Sequence, residues 1–181
     1  MADNNLVWAD LEMTGLDPDT DQIIEIATII TDKDLNVIAE GPELIIHCQE
    51  DRLQKMDDWN TNQHRKSGLW DACIESKVLV SDAETATLEF IKDHVPQGKS
   101  PLCGNSIWQD RRFIAKWMGR IDQYLHYRTI DVSTIKELNR LWYPSIPSFE
   151  KKGLHRAKDD ILQSIDELRY YQKNLFTENH S

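Results

Sequence analysis

The sequence has few cysteines and no long apolar run. The cysteines Cys48, Cys73 and Cys103 are odd in number and far apart, without a Cys-x-x-Cys pair, so neither a disulfide framework nor a zinc site is expected. No stretch approaches the roughly 20 apolar residues of a membrane helix, and the amino terminus lacks a signal-peptide pattern. We therefore expect a cytoplasmic protein outside any membrane, with reduced and mostly buried thiols.

Positive charge is also scarce. The chain has 21 Lys and Arg against 31 Asp and Glu, a formal net charge of −10. Proteins that hold long nucleic acids neutralise many phosphates with Lys and Arg, and this chain lacks the charge for that. A small basic surface or bound metal ions can still bring an acidic protein to a nucleic acid. Lys and Arg cluster at 111–112 and at 151–158, although solvated charges beside helices also explain them.

The 181 residues fit one domain, 1–181, and 40% hydrophobic with 29% charged residues is typical of a globular protein. Runs of β-forming residues come first and predict an antiparallel meander, followed by two shorter strands. The predicted strands cover 6–12, 22–30, 37–46, 101–103 and 128–132.

Helical patterns occupy most of the second half of the chain. Two helices are predicted to begin with capping boxes, Ser-x-x-Glu at 81–84 and Ser-x-x-Gln at 106–109. The predicted helices end near 95 and 118, and two more cover about 134–141 and 157–175. Together the elements predict an α/β domain with a mixed central sheet flanked by helices.

Two carboxylates, Asp10 and Glu12, end the first predicted strand. The two-residue period of a strand sends both to the face that Leu6 and Trp8 occupy. Burying two carboxylates together is costly, and a divalent cation such as Mg²⁺ or Mn²⁺ removes the conflict. A solvated rim is the commoner explanation of an Asp-x-Glu pair, so a metal site requires further ligands.

Asp110 and Asp160 are candidates for those ligands. Asp110 replaces an apolar residue in the inward stripe of its predicted helix, and Asp160 lies beside the stripe of the last helix. An Asp that favours the helix dipole in a first turn is the simpler explanation of Asp110 taken alone. Several acids on inward faces favour a shared site.

His155 precedes Asp160 by five residues. On one continuous helix that spacing separates two side chains by about 140°, so the two could not converge. If His155 instead lies in the loop after Gly153, its ring can reach whatever Asp160 binds. With an ordinary pKa of about 6.5, it can serve as the base that deprotonates an attacking water. Four carboxylates and one His suit a two-metal phosphodiesterase.

These residues lie in motifs that resemble those of the DEDDh family of 3′→5′ exonucleases. The motifs are DLEMTGL at 10–16, GNSI and DRRF at 104–113, and HRA and DI at 155–161. Within that family the likeness is to members that degrade short oligoribonucleotides, and it spans essentially the whole chain, including HRKSGL at 64–69 and YRTIDVST at 127–134.

The resemblance implies an RNase H-like exonuclease fold, a homodimer and two Mg²⁺ or Mn²⁺ ions. It implies an exoribonuclease that converts short RNA, down to dinucleotides, into nucleoside 5′-monophosphates. The metal ligands would be Asp10, Glu12, Asp110 and Asp160, and the general base would be His155.

The resemblance also implies residues that bind the substrate. Leu16 would separate the two bases, and Trp59 and His64 would line the nucleotide pocket, as aromatic rings do in proteins that hold single strands. The residues beside the phosphates would be Ser106 and Gln109, with Arg128, Thr129 and the partner subunit's Tyr127 at the 5′ phosphate.

Three alternatives remain open at this point. A DEDDh exonuclease that trims longer strands would share the five catalytic residues. A non-catalytic nucleic-acid binding module could keep the fold without activity. Metal storage or structural metal binding would predict no nucleotide turnover.

Overall fold

The computed structural model describes residues 4–150 and 156–176. Its strands and helices follow one another in an α/β order. The strands are β1 Leu6–Met13, β2 Ile23–Thr31, β3 Val37–Glu40, β4 Leu44–Ile45, β5 Leu102–Gly104 and β6 Thr129–Asp131. The helices are α1 Glu50–Leu53, α2 Asp58–Ser67, α3 Leu69–Glu75, α4 Val80–His94, α5 Ile107–Trp117, α6 Gly119–Tyr124, α7 Val132–Trp142 and α8 Ala157–Leu175.

The strands form one mixed sheet in the order β3-β2-β1-β5-β6, with β4 also paired to β2. β1, β2 and β3 are antiparallel, as the predicted meander requires, whereas β5 is parallel to β1 and β6 is parallel to β5. The strand predicted over 37–46 is two strands, β3 and β4. Gly41 N still donates to Thr28 O of β2 at 2.8 Å, and the pairing is interrupted at Pro42, because proline cannot donate to a sheet ladder.

Helices cover both faces of this sheet. On one face, α4, α5 and α6 pack against apolar side chains that include Val7, Ala9 and Leu11 of β1. On the other face, α7 and α8 pack against Trp8 and its neighbours. The predicted fold class, a mixed sheet flanked by helices, is confirmed.

Side-chain alternation along β1 decides which face the strand's acids occupy. Trp8 is fully buried on the α8 face, and its indole N–H donates to Thr31 Oγ1 at 3.0 Å. Asp10 and Glu12 follow it at two-residue steps and therefore lie on the side of the sheet that α8 covers. The N-terminal turn of α8 lies beside the end of β1 on this face.

Both predicted capping boxes are wrong. Helix α4 begins at Val80, and its first turn is capped by Asp82, which accepts from the Leu79 backbone N–H at 3.1 Å. The Glu84 carboxylate instead accepts from Arg120 N at 2.7 Å and Nε at 2.8 Å. Ser106 precedes α5 with a left-handed φ of 50° and makes no side-chain cap. Polar side chains that the capping pattern assigned to their own helices instead bond to residues that are distant in the sequence.

Helices α1, α2, α3 and α6 lie in stretches for which no element was predicted. The cysteines Cys48, Cys73 and Cys103 are free and buried, as expected, and burial raises the pKa of the Cys73 thiol to about 12. Among residues 4–150 and 156–176, no helix is both long and apolar enough to cross a membrane.

Candidate active site

Three acidic side chains from two separate elements meet at the carboxyl end of β1. Asp10 and Glu12 extend from β1, and Asp160 extends from the first turn of α8. One ligand oxygen from each of the three lies within 4.8 Å of those of the other two. Oxygen donors at this spacing can hold a hard divalent cation.

Asp110 approaches the same strand end from the opposite face of the sheet. It lies in the first turn of α5, is only 6% exposed, and its Oδ1 accepts from the Leu11 backbone N–H at 3.0 Å. Because β5 ends at Gly104, none of the described strands lies beside this part of β1 on that side, and the carboxylate occupies the open edge. Asp110 is therefore bonded to the residue between Asp10 and Glu12.

The electrostatics of the group show the cost of burying acids together. Burial raises the pKa of Glu12 to about 8, and Asp160, Glu25 and Asp110 add to the rise while Arg156 opposes it. Burial also raises the pKa of Asp110 to about 7, although the hydrogen bond from Leu11 N favours its ionised form. A divalent cation would relieve this repulsion, so the donor set fits such an ion.

His64 lies beside the acids although its spacing in the sequence indicates no role. It is 1% exposed, and its Nε2 lies 3.1 Å from the carbonyl oxygen of Met13. A carbonyl can only accept, so Nε2 carries the proton and the ring is fixed on the strand end. Its Nδ1 then faces Glu12, with 4.0 Å between Nδ1 and Oε2.

A cavity of about 450 Å³ opens next to this strand end. Leu16 and Trp59 line it, and they are 71% and 64% exposed. Lys55 and Met56, which the sequence analysis did not single out, line it as well. Exposed apolar and aromatic surfaces of this kind suit a flat base held by stacking.

Gln109 and Ser106 have partners that join different parts of the site. Gln109 Nε2 donates to the Leu16 carbonyl oxygen at 2.6 Å and thereby fixes the loop that carries Leu16. Ser106 donates its backbone N–H to Asp131 Oδ1 and to Ser133 Oγ, both at 2.9 Å. These bonds hold the start of α5, and hence Asp110, against the end of β6.

Tyr127 and Arg128 precede the edge strand β6 and Thr129 begins it, separated from β1 by β5. Tyr127 is 75% exposed, stacks on His126 with 4.4 Å between ring centroids, and has the Arg128 guanidinium 5.4 Å from its ring centre. The remaining prediction, His155, lies outside the described residues.

One buried acid near the site was missed. Glu25 is fully buried in β2, directly opposite Glu12 in the antiparallel register, and it binds Arg156. A signal was present in the sequence, because Glu25 is the single charged residue within the apolar run 23–31.

Comparisons with known proteins agree with this geometry. The sequence profile of the family described as Exonuclease matches residues 7–168. The oligoribonuclease of Photobacterium profundum is 57% identical over 178 residues, which cover 98% of each chain. The chain belongs to the exonuclease family and, within it, to the oligoribonucleases. The oligoribonuclease of Escherichia coli strain K12 is 54% identical over 174 residues, or 96% of each chain. The predicted resemblance is confirmed.

Solved structures of exonuclease I share the fold of this oligoribonuclease family member. The enzyme from Methylocaldum szegediense has a TM-score of 0.67 at 17% identity and covers 94% of this chain. A complex of E. coli exonuclease I with single-stranded DNA, in its metal-free form, gives 0.69 at 15% identity. The chain spans only about two-fifths of the length of those proteins, 41% and 40%. The RNase H-like fold is confirmed, and family membership with the acid cluster indicates a divalent metal ion.

Proposed function

We propose that this protein is a 3′→5′ exoribonuclease that hydrolyses short oligoribonucleotides, down to dinucleotides, to nucleoside 5′-monophosphates. The observation that carries the proposal is the convergence of Asp10, Glu12 and Asp160, with Asp110 bonded to the strand between them, beside a cavity suited to a base. The similarity to proteins named oligoribonuclease supports the choice of substrate.

Asp10, Glu12, Asp110 and Asp160 would hold two Mg²⁺ or Mn²⁺ ions. When bound, such ions lower the pKa of a water molecule and neutralise the charge on the phosphate. The residues' own contribution is a preformed set of oxygens on a rigid strand and two helix first turns. His155, the sequence neighbour of the α8 N-cap Arg156, would accept the proton of the attacking water.

The cavity would hold the 3′-terminal nucleotide. Its base would stack between Leu16 and Trp59, with Leu16 separating it from the next base. His64 is buried at the strand end and is not among the residues that line the cavity, so it would support the pocket from behind. Ser106 and Gln109 would lie beside the phosphates. Because Gln109 donates to the Leu16 carbonyl, a substitution of Gln109 would also change the position of Leu16.

We propose that a second copy of the chain completes the site and that the enzyme works in the cytoplasm. Large apolar side chains are exposed on α5, before β6 and at the end of α7: Trp108, Tyr127, Leu141 and Trp142. A contiguous patch of such side chains would mark an interface. Tyr127 of the partner subunit, with Arg128 and Thr129, would then contact the 5′ phosphate and leave no room for a longer strand.

The test is a time course with 5′-labelled RNAs of two to about ten nucleotides, with Mg²⁺ or Mn²⁺ and with EDTA. We expect mononucleotide release that is fastest for the dinucleotide and absent in EDTA. Asp160→Asn should abolish turnover, whereas Asp166→Asn, the same change on the exposed side of α8, should not. Release that is as fast from ten-mers as from dinucleotides would instead favour an enzyme for longer strands.

Two further variants separate the remaining assignments. His155→Ala should impair turnover more than metal binding, and full activity near pH 7 would exclude His155 as the base. Arg128→Ala should remove the preference for dinucleotides, whereas an enzyme that trims longer strands would be little affected. A stable, fully active monomer would refute the role of the partner's Tyr127.

A further inference from the structure

The buried carboxylate of Glu25 is bonded to the first residues of α8. Arg156 Nη2 donates to Glu25 Oε1 at 2.6 Å, and Arg156 Nε lies 3.0 Å and 3.3 Å from the two carboxylate oxygens. The Ala157 backbone N–H donates to Glu25 Oε2 at 3.2 Å. A fully buried carboxylate would be costly among the isoleucines of β2 without such partners.

These bonds, which we call the Glu25–Arg156 anchor, take the place of a side-chain cap from the N-cap residue of α8. Arg156 is the N-cap residue of the helix, and its own side chain makes no capping hydrogen bond. The first N–H groups of a helix need acceptors, and the Glu25 carboxylate serves the N–H of Ala157 from the neighbouring strand. The next bond in the turn, from Asp160 N to Arg156 O at 3.0 Å, connects this anchor to Asp160.

The anchor also connects both parts of the acid cluster. Glu25 lies directly opposite Glu12 in the register of β1 and β2. Its side chain therefore fixes the position of α8, which carries Asp160, relative to the strand residue Glu12. Apolar packing of Ala157, Ile161 and Ile165 holds α8 on the sheet but is not directional. The two-pronged contact of a guanidinium with a carboxylate fixes both position and angle.

We propose that Glu25 and Arg156 are positioning residues that set the placement of Asp160 relative to Asp10 and Glu12, and thereby the affinity for the metal ion. The inference rests on the proposed function, because it assigns the geometry to metal-dependent hydrolysis. Supporting bonds to metal ligands contribute about 10- to 100-fold to metal affinity or activity, and a displacement of Asp160 should fall at the lower end of that range.

The experiment compares Glu25→Gln with Glu84→Gln. Glu84 is a matched control because it is also a mostly buried carboxylate that binds an arginine and the N–H of an early helix residue, Arg120 of α6. Mn²⁺ binding is titrated directly, without RNA, and turnover is measured across Mn²⁺ concentrations. Glu25→Gln should weaken Mn²⁺ binding about tenfold, with most of the lost turnover recovered at saturating Mn²⁺, whereas Glu84→Gln should keep wild-type metal dependence.

Each outcome decides the question. Wild-type Mn²⁺ affinity in a folded Glu25→Gln variant, or equal losses in both variants, would overturn the positioning role. Because Glu25→Gln also removes a negative charge that acts on Glu12, Arg156→Lys is measured beside it. Lysine keeps the charge but cannot make the two-pronged contact, so unchanged Mn²⁺ affinity in that variant would equally overturn the positioning role. Absence of turnover in the wild type would refute the proposed function alone, since direct Mn²⁺ titration still tests the anchor.

Discussion

Replacing Glu12 by Gln tests the electrostatics of the acid cluster through stability rather than turnover. Without a metal ion, burial is the main reason that the pKa of Glu12 rises from 4.5 to about 8 in the folded protein. The unfolded chain restores the ordinary value. Between these two pKa values the folded protein binds a proton that the unfolded chain has released, so the wild type loses stability as the pH rises from about 4.5 to about 8. Gln, which is neutral throughout, escapes this loss.

The size of the effect follows from the two pKa values. The difference between 4.5 and about 8 corresponds to about 5 kcal/mol. Two effects reduce this free energy. Protons redistribute among the neighbouring carboxyls, and water reaches the Glu12 side chain, which is 16% exposed. If about half remains, ~2.5 kcal/mol raises the melting temperature by about 5–10 °C in a domain of this size.

The assay is thermal unfolding of wild type and Glu12→Gln in EDTA at pH 5, 6, 7 and 8. The melting temperature of the variant should exceed that of the wild type by an amount that grows with pH. Glu137→Gln, which changes an exposed acid in a surface ion pair, should show no such trend. Adding Mn²⁺ should raise the wild-type value and narrow the gap. A Glu12→Gln variant that melts at or below the wild type at pH 8 would refute the reasoning.

Three other expectations concern the pocket and the core. Trp59→Ala should raise KM for a dinucleotide by about 5- to 150-fold, because stacking on one base contributes about 1–3 kcal/mol, whereas Trp59→Phe should keep most of the affinity in steady-state assays. Gln109→Ala, which frees the Leu16 carbonyl, should raise KM without unfolding the protein, as followed by kinetics and circular dichroism. Phe113→Ala, at a fully buried position, should lower the free energy of unfolding by about 3–5 kcal/mol in denaturant titrations.

Periodicity in the sequence was sufficient to predict which way the acids face. The two-residue step along β1 placed Asp10 and Glu12 with Trp8, and the helical stripe of α5 placed Asp110 inward; the structure agrees on both. These predictions succeed because alternation and helical spacing are local properties of the backbone. Periodicity could not show that α8 covers the Trp8 face while α5 covers the other, because that depends on contacts between distant segments.

Local patterns failed where tertiary contacts decide. Ser106 and Gln109 match a capping box, but Gln109 bonds to the Leu16 loop, 93 residues away in the chain. No helix was predicted for residues 50–75, because their apolar residues do not recur at helical spacing over several turns. A signal was nevertheless present, because Asp is a preferred N-cap residue. Asp57 is the N-cap of α2, and its side chain accepts from the Asn60 backbone N–H at 2.7 Å.

A net charge of −10 should repel a nucleic acid. The position of the acids explains how the chain can nevertheless act on one. A chain that held a long strand would need Lys and Arg along a groove. Here carboxylates from β1, α5 and α8 gather at one strand end, and their raised pKa values show how much that end needs positive charge. A cation bound there would reverse the local field and attract the phosphate to the proposed point of hydrolysis. Affinity for the rest of the substrate can then come from a base in the cavity beside Leu16 and Trp59, which requires no extended positive surface.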